Sequence, residues 1–401
     1  MDTRVKPAYD ASTFPTHALL AHLALGTLGA VDQGHVEGRF LTPKISRRTL
    51  LSGVLAAPYV TQAHAAADDH MIGEMLVLGF NGSTPDAAGV QGLARHLNAG
   101  RVGGVCFLGH NTRTRAGIEG IAKVFIESAA RTKPLISVHQ EGGAVQRLNA
   151  RSGYDAIPTA QALASRGSPE EAYGVYQRMA RTLRAAGFNL NLAPVVDLGF
   201  EPKNPVIAKW GRAYGPDGAT VARYATAFVQ SHRAERVLTA VKHFPGHGST
   251  LGDSHERPID LTPTWRPDEL EPFRRMARAR ALDIVMTGHL AHAKLTGGEP
   301  ATLTRTAIES LLRRDIGYQG AVMTDDLDMA AIRSSYALPD AVVRAIAAGN
   351  DIILLSNSLK PDANLPVVLI AAVKEAVAAG RIPKGRIEQS VERIARIKAR
   401  V

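Results

Sequence analysis

From residue 70 to its end the chain alternates short, continuously apolar runs with longer amphipathic segments. No other feature restricts the fold as much. The runs are Leu76–Phe80, Val102–Leu108, Leu135–His139, Leu190–Val196, Leu238–Val241, Ile284–Thr287, Ala321–Thr324 and Ile352–Leu355. Helix-like segments lie near 113–131, 169–186, 217–234, 268–280, 304–315, 338–348, 363–379 and 387–400. Runs that are apolar at nearly every residue, rather than at every second one, read as strands covered on both faces. That is the pattern of a parallel sheet with helical crossovers. Eight such alternations over about 330 residues fit a (β/α)8 barrel of the α/β class. A doubly wound open sheet is the alternative, but no Gly-x-Gly-x-x-Gly follows the first run, which removes the main support for a dinucleotide site. No segment rich in Pro, Gly or Ser divides this region, so one domain is expected.

Polar residues gather where the runs end. His139-Gln140-Glu141-Gly142-Gly143 follows the third, Asp197 the fourth, Lys242-His243 the fifth, His289 closes the sixth, and Asp325-Asp326 follow the seventh. In a barrel these positions converge on one mouth, the face that carries active sites. The densest cluster is Lys242-His243-Phe244-Pro245-Gly246-His247-Gly248, followed by Asp253-Ser254-His255. Pro245, Gly246, Gly248 and Gly252 exclude a stable helix and predict a loop after the strand. A loop this rich in titratable groups suits proton transfer.

The first 65 residues differ from the rest. Ser46-Arg47-Arg48-Thr49-Leu50-Leu51 sets a twin arginine before the apolar run Leu50 to Val60, and Ala63-His64-Ala65 supplies small residues. This order resembles a bacterial twin-arginine export signal, cleaved after Ala65, leaving 66–401 as the mature domain. Pro58 and the short run argue against a span needing roughly 20 apolar residues, so no stable membrane insertion is expected. The expected destination is the periplasm or the cell exterior. The net charge is +10, yet Lys and Arg are scattered along helical stretches such as Arg393 to Arg400, without interleaved aromatics. A solvated basic face, not a nucleic-acid surface, is the expectation. The single cysteine, Cys106, excludes an internal disulfide and reads as a buried, inert thiol.

Two metal readings compete for the polar residues. His243 and His247 have the spacing of a helical zinc pair, but Pro245 and Gly246 break the helix and no Glu follows His243. Asp325, Asp326 and Asp328 could hold magnesium, but no phosphate-cradling loop accompanies them. Asp326 and Asp328 are expected instead to cap the following helix, and Glu141 to be a structural acceptor. Trp210 could stack on a sugar or fill the core. No metal or organic cofactor is expected.

Together the Lys242–Gly248 and Asp253–His255 segments, Gln140-Glu141-Gly142-Gly143 and Thr324-Asp325-Asp326-Leu327 resemble a family 3 glycoside hydrolase over roughly residues 70–400. The nearest branch is the bacterial β-N-acetylhexosaminidases, which act on N-acetylglucosaminyl bonds in cell-wall fragments. The resemblance implies that Asp325 is the nucleophile, His255 the general acid/base and Asp253 its partner. It implies that Arg147, Arg212, Lys242 and His243 hold the terminal sugar of an oligosaccharide or muropeptide substrate. The chemistry is consistent with this. An imidazole, with an ordinary pKa of about 6.5, can give and take a proton near neutrality. Lys242 or Arg212 is expected to keep Asp325 ionised. One departure stands out. The family has an aspartate before Gln-Glu-Gly-Gly, where this chain has His139, a poorer acceptor for sugar hydroxyls. Sugar preference is therefore open. A β-glucosidase, a glycoside phosphorylase and a non-catalytic glycan-binding protein remain alternatives, and oligomeric state carries no sequence signal.

Overall fold

The computed structural model describes residues 68–401 apart from Leu359 and Lys384, so the expected export signal lies outside the described residues. Eight parallel strands form the sheet: β1 (Leu76–Leu78), β2 (Gly104–Phe107), β3 (Leu135–Val138), β4 (Leu190–Asn191), β5 (Leu238–Phe244), β6 (Ile284–Thr287), β7 (Ala321–Thr324) and β8 (Ile353–Leu355). Their order is β7-β6-β5-β4-β3-β2-β1-β8. The ring closes between β7 and β8, where Met323 bridges Ile352 in parallel and the Thr324 amide donates to the Ile352 carbonyl at 2.9 Å. This is the expected (β/α)8 barrel. Every residue of these strands is buried, because the barrel interior covers one face and the helices the other.

All eight expected helical segments are wound, and others were not expected, the longest of them having 11 residues. Ala88–Asn98 crosses from β1 to β2 and buries Val90, Leu93, Ala94 and Leu97. Gly89 and Gly92 weaken its helix propensity, yet its apolar spacing is helical. Elsewhere, ordinary capping chemistry starts the crossovers. Ser168 and Glu171 form a capping box around Pro169, and the Asp217 side chain accepts from the Thr220 amide. Between barrel and helices, Phe107 meets Phe80 and Phe188 edge-on, with ring centroids 5.0 and 4.8 Å apart. Cys106, on the opposite face of β2, is buried inside the barrel, and burial pushes its thiol up to about 12.

Two strands differ from expectation in ways that matter at the mouth. β4 stops at Asn191, well before Val196, since Pro194 cannot donate to a ladder. β5 runs on through Phe244, so Lys242 and His243 belong to the strand and not to the loop after it. The β5–β6 pairing slips by one residue between Val241 and Phe244, which is a β-bulge. A bulge re-aims side chains, and here it frees Lys242 and His243 from strict alternation.

Candidate active site

The floor of the mouth is a buried ion cluster around Glu141. It sits on the ribbon Gln140–Gly142, which pairs antiparallel with Val145–Gln146. The chain turns there through Gly142 and Gly143, both at positive φ (106° and 58°), which a side chain would oppose. Arg212 grips Glu141 with two bonds of 2.8 Å, Nε to Oε2 and a terminal nitrogen to Oε1. Lys242, 1% exposed, reaches Oε1 at 2.7 Å. Its other protons go to the Leu192 carbonyl at 2.6 Å and to His139 Nδ1 at 3.1 Å. Burial alone would raise the Glu141 carboxyl, but Arg212 and Lys242 hold it far below the usual range.

Beside this cluster Asp197 organises two histidines. One oxygen accepts from the backbone amides of His243 (3.1 Å) and His247 (2.8 Å), and the other bonds His243 Nδ1 at 2.6 Å. His247 commits both ring nitrogens to hydroxyls, Nδ1 to Thr250 at 2.7 Å and Nε2 to Ser254 at 3.2 Å. Asp325, 8% exposed, follows β7 directly, its amide donating to the Thr287 carbonyl at 3.0 Å. Burial would raise its carboxyl. The surrounding imidazoles of His243, His289 and His255, with Lys242, more than offset this and keep it ionised well below the ordinary value. The expectation of a depressed Asp325 is met chiefly by histidines, ahead of Lys242.

The loop from Pro245 to Arg257 folds over this floor. Gly248 lies so close to strand β4's continuation that an added Cβ would stand 1.9 Å from the Leu198 carbonyl oxygen. Glu269, fully buried, accepts from the amides of Gly248 (3.2 Å) and Ser249 (2.9 Å) and braces the loop from behind. Burial, with Asp197 nearby, pushes its carboxyl up to about 7. At the loop's far end Ser254 accepts from the Ala331 amide at 3.2 Å, which pins the loop to the segment after Asp325. His255 is thereby held on the same rim as Asp325. Its Nδ1 meets Asp253 Oδ1 at 2.7 Å, and its side chain is 49% exposed. Partial burial would lower its pKa, but the bond to Asp253 and the charges of Asp325 and Asp253 raise it.

The structure thus gathers Asp325, His255, Asp253, His139, Arg212, Lys242 and His243 at one mouth, with Arg147 close to His139 and Glu141. Asp326 and Asp328 do not cap the next helix, whose start has no side-chain cap. Asp326 Oδ1 instead accepts from the Ser356 amide at 2.8 Å, and Asp328 from the Asn357 amide at 2.8 Å, tying the β7 loop to the end of β8. Trp210 is 47% exposed and does not fill the core. Sequence reasoning put Asp197 at the rim without a role and missed Glu269, which carries no motif and lies on the helical turn Pro267–Leu270.

A closed barrel whose C-terminal mouth brings an ionised carboxylate together with a carboxylate-backed imidazole, over a floor of buried polar groups, has the make-up of a glycoside hydrolase. Residues 69–397 match the glycosyl hydrolase family 3 N terminal domain, and the chain belongs to that family. It is 34% identical over 335 residues to the β-hexosaminidase LpqI of Mycobacterium tuberculosis, covering 82% of this chain and 81% of that protein. Among solved structures it is similar to a family 3 β-N-acetylglucosaminidase from Paenibacillus sp. str. FPU-7 (35% identity, TM-score 0.74), covering 83% of this chain but only 62% of that longer one. A β-N-acetylhexosaminidase from Beutenbergia cavernae matches at 27% identity and TM-score 0.74, over 83% of this chain and 98% of that one.

Proposed function

We propose that the protein is an exo-acting, retaining β-N-acetylhexosaminidase that removes terminal β-linked N-acetylglucosamine from cell-wall fragments or chitin oligosaccharides. The observation that carries this is the pairing of Asp325, ionised by its neighbours, with His255, whose protonated form Asp253 and Asp325 favour. The names of the similar proteins, hexosaminidases and acetylglucosaminidases, support the sugar class. Asp325 attacks the anomeric carbon while His255 gives its proton to the departing oxygen, and the glycosidic C–O bond breaks. The neutral imidazole then takes a proton from water, whose oxygen attacks the same carbon and frees the Asp325 carboxylate. Two displacements at one carbon retain configuration. Arg212 and Lys242 fix Glu141, and Asp197 fixes His243, so the floor beneath the sugar is held in a set orientation.

The twin arginine Arg47-Arg48 supports a periplasmic or secreted site of action. Among the described residues no helix is long and apolar enough to cross a membrane. The test compares aryl β-N-acetylglucosaminide with aryl β-glucoside, each with and without inorganic phosphate, in wild type and Asp325→Ala. Turnover of the first, independent of phosphate and lost in the variant, supports the proposal. Preference for the glucoside, phosphate-dependent products, or binding without turnover would each replace it.

A further inference from the structure

The end of β3 presents donors where a sugar site usually needs acceptors. Lys242 carries three protons, and its three partners are Glu141, the Leu192 carbonyl and His139 Nδ1. An ammonium only donates, so Nδ1 of His139 is the acceptor and the ring's proton sits on Nε2. Burial and the nearby cations Lys242 and Arg147 keep this imidazole neutral. His139 is partly exposed, so it meets the sugar as an N–H donor. Lys242, being buried and fully engaged, acts on the sugar through it.

Arg147 stands beside this donor. The ribbon pairs Gln140 with Gln146, and the same register sets 139 opposite 147 across the two strands. No carboxylate lies within salt-bridge distance of Arg147 among the described residues, and its buried Nε has no hydrogen-bond partner. Glu141, the nearest acid, is already occupied by Arg212 and Lys242. Arg147 is partly exposed, so its outer guanidinium nitrogens can meet a ligand, and a largely buried guanidinium left without any acceptor is costly.

We propose, resting on the glycosidase reading above, that this subsite takes a terminal sugar bearing an anionic acceptor group, a carboxylate or a phosphate, received by His139 Nε2–H and the Arg147 guanidinium. The neutral sugar then binds as the poorer substrate, leaving Arg147 unmatched.

The test uses the aryl β-N-acetylglucosaminide, its C6 carboxylate, its 6-phosphate and its 3-O-lactyl ether. At least one anionic derivative should exceed the neutral one in kcat/KM by roughly 10- to 100-fold, the effect of charge-assisted hydrogen bonds. Which derivative responds tells carboxylate from phosphate. Arg147→Met should cut that advantage by a similar factor and Arg147→Lys should keep part of it. His139→Asp, which sets a carboxylate opposite Arg147, should reverse the preference. Slower turnover of all three anionic derivatives, or equal losses on charged and neutral substrates in Arg147→Met, overturns the proposal. So does phosphate stimulation of neutral turnover that vanishes with Arg147, since the anion is then a co-substrate. If no glycoside is turned over at all, the hydrolase reading fails by itself. Calorimetric titration of the free neutral and acidic sugars into Asp325→Asn protein then decides: tighter acidic binding supports the subsite, equal or weaker binding refutes it.

Discussion

Replacing Glu141 with Gln should destabilise the whole barrel, because one carboxylate neutralises two buried cations. Its side chain is 8% exposed, and those of Lys242 and Arg212 are 1% and 9%. Removing one partner from a buried pair costs about 3–5 kcal/mol, since the other charge is left unmatched. A Gln amide still accepts a proton, so the lower end, about 3 kcal/mol, is expected. For a domain of this size, with an unfolding entropy of about 2 cal/mol/K per residue, that corresponds to a fall of roughly 4 °C in Tm. Urea unfolding followed by far-UV circular dichroism measures it, with Lys242→Met and the double variant completing a cycle. The double variant should lose at least about 1 kcal/mol less than the sum of the singles. The pH dependence has a definite sign. The folded Glu141 pKa is depressed, so its contribution is full above the unfolded carboxyl value of about 4.3 and fades as pH falls below that. Wild type and variant should therefore differ by a constant amount from pH 7 to pH 5 and converge in stronger acid. A loss below about 1 kcal/mol with additive singles would refute the view that Glu141 anchors the floor.

Three further outcomes are expected. Asp253→Asn should lower the His255 pKa, moving the alkaline limb of kcat/KM to lower pH; an unmoved limb would deny that Asp253 tunes the acid. Burial pushes the folded Glu269 carboxyl up to about 7, above its unfolded value, so its own contribution to stability should decline as pH rises from about 4.3 toward 7. Thermal melts of Glu269→Gln should lack that decline. Gly248→Ala should force the loop off the Leu198 carbonyl and cut kcat by on the order of 100-fold, with the fold intact by circular dichroism; wild-type kcat would show that the loop's close seating is unimportant.

Much of this was readable in the sequence because buried parallel strands write themselves as unbroken apolar runs, and polar residues after them mark the mouth. The helix Ala88–Asn98 escaped because two glycines dilute its pattern. The bulge that carries Lys242 and His243 within β5 was hidden because register depends on the partner strand, not on β5 alone. Asp326 and Asp328 sit where helix caps belong, yet their oxygens turn to the end of β8, a contact between segments some thirty residues apart. Asp197 and Glu269 likewise gain meaning only when the loop they hold is folded against them.

Rapid quenching of the enzyme with a substrate whose glycosyl intermediate decays slowly, followed by peptide mass mapping, examines the chemistry itself. One sugar attached to the peptide through Asp325, and absent from the Asp325→Ala protein, is the predicted result. A sugar on another residue, or a product of inverted configuration with no adduct, would contradict it.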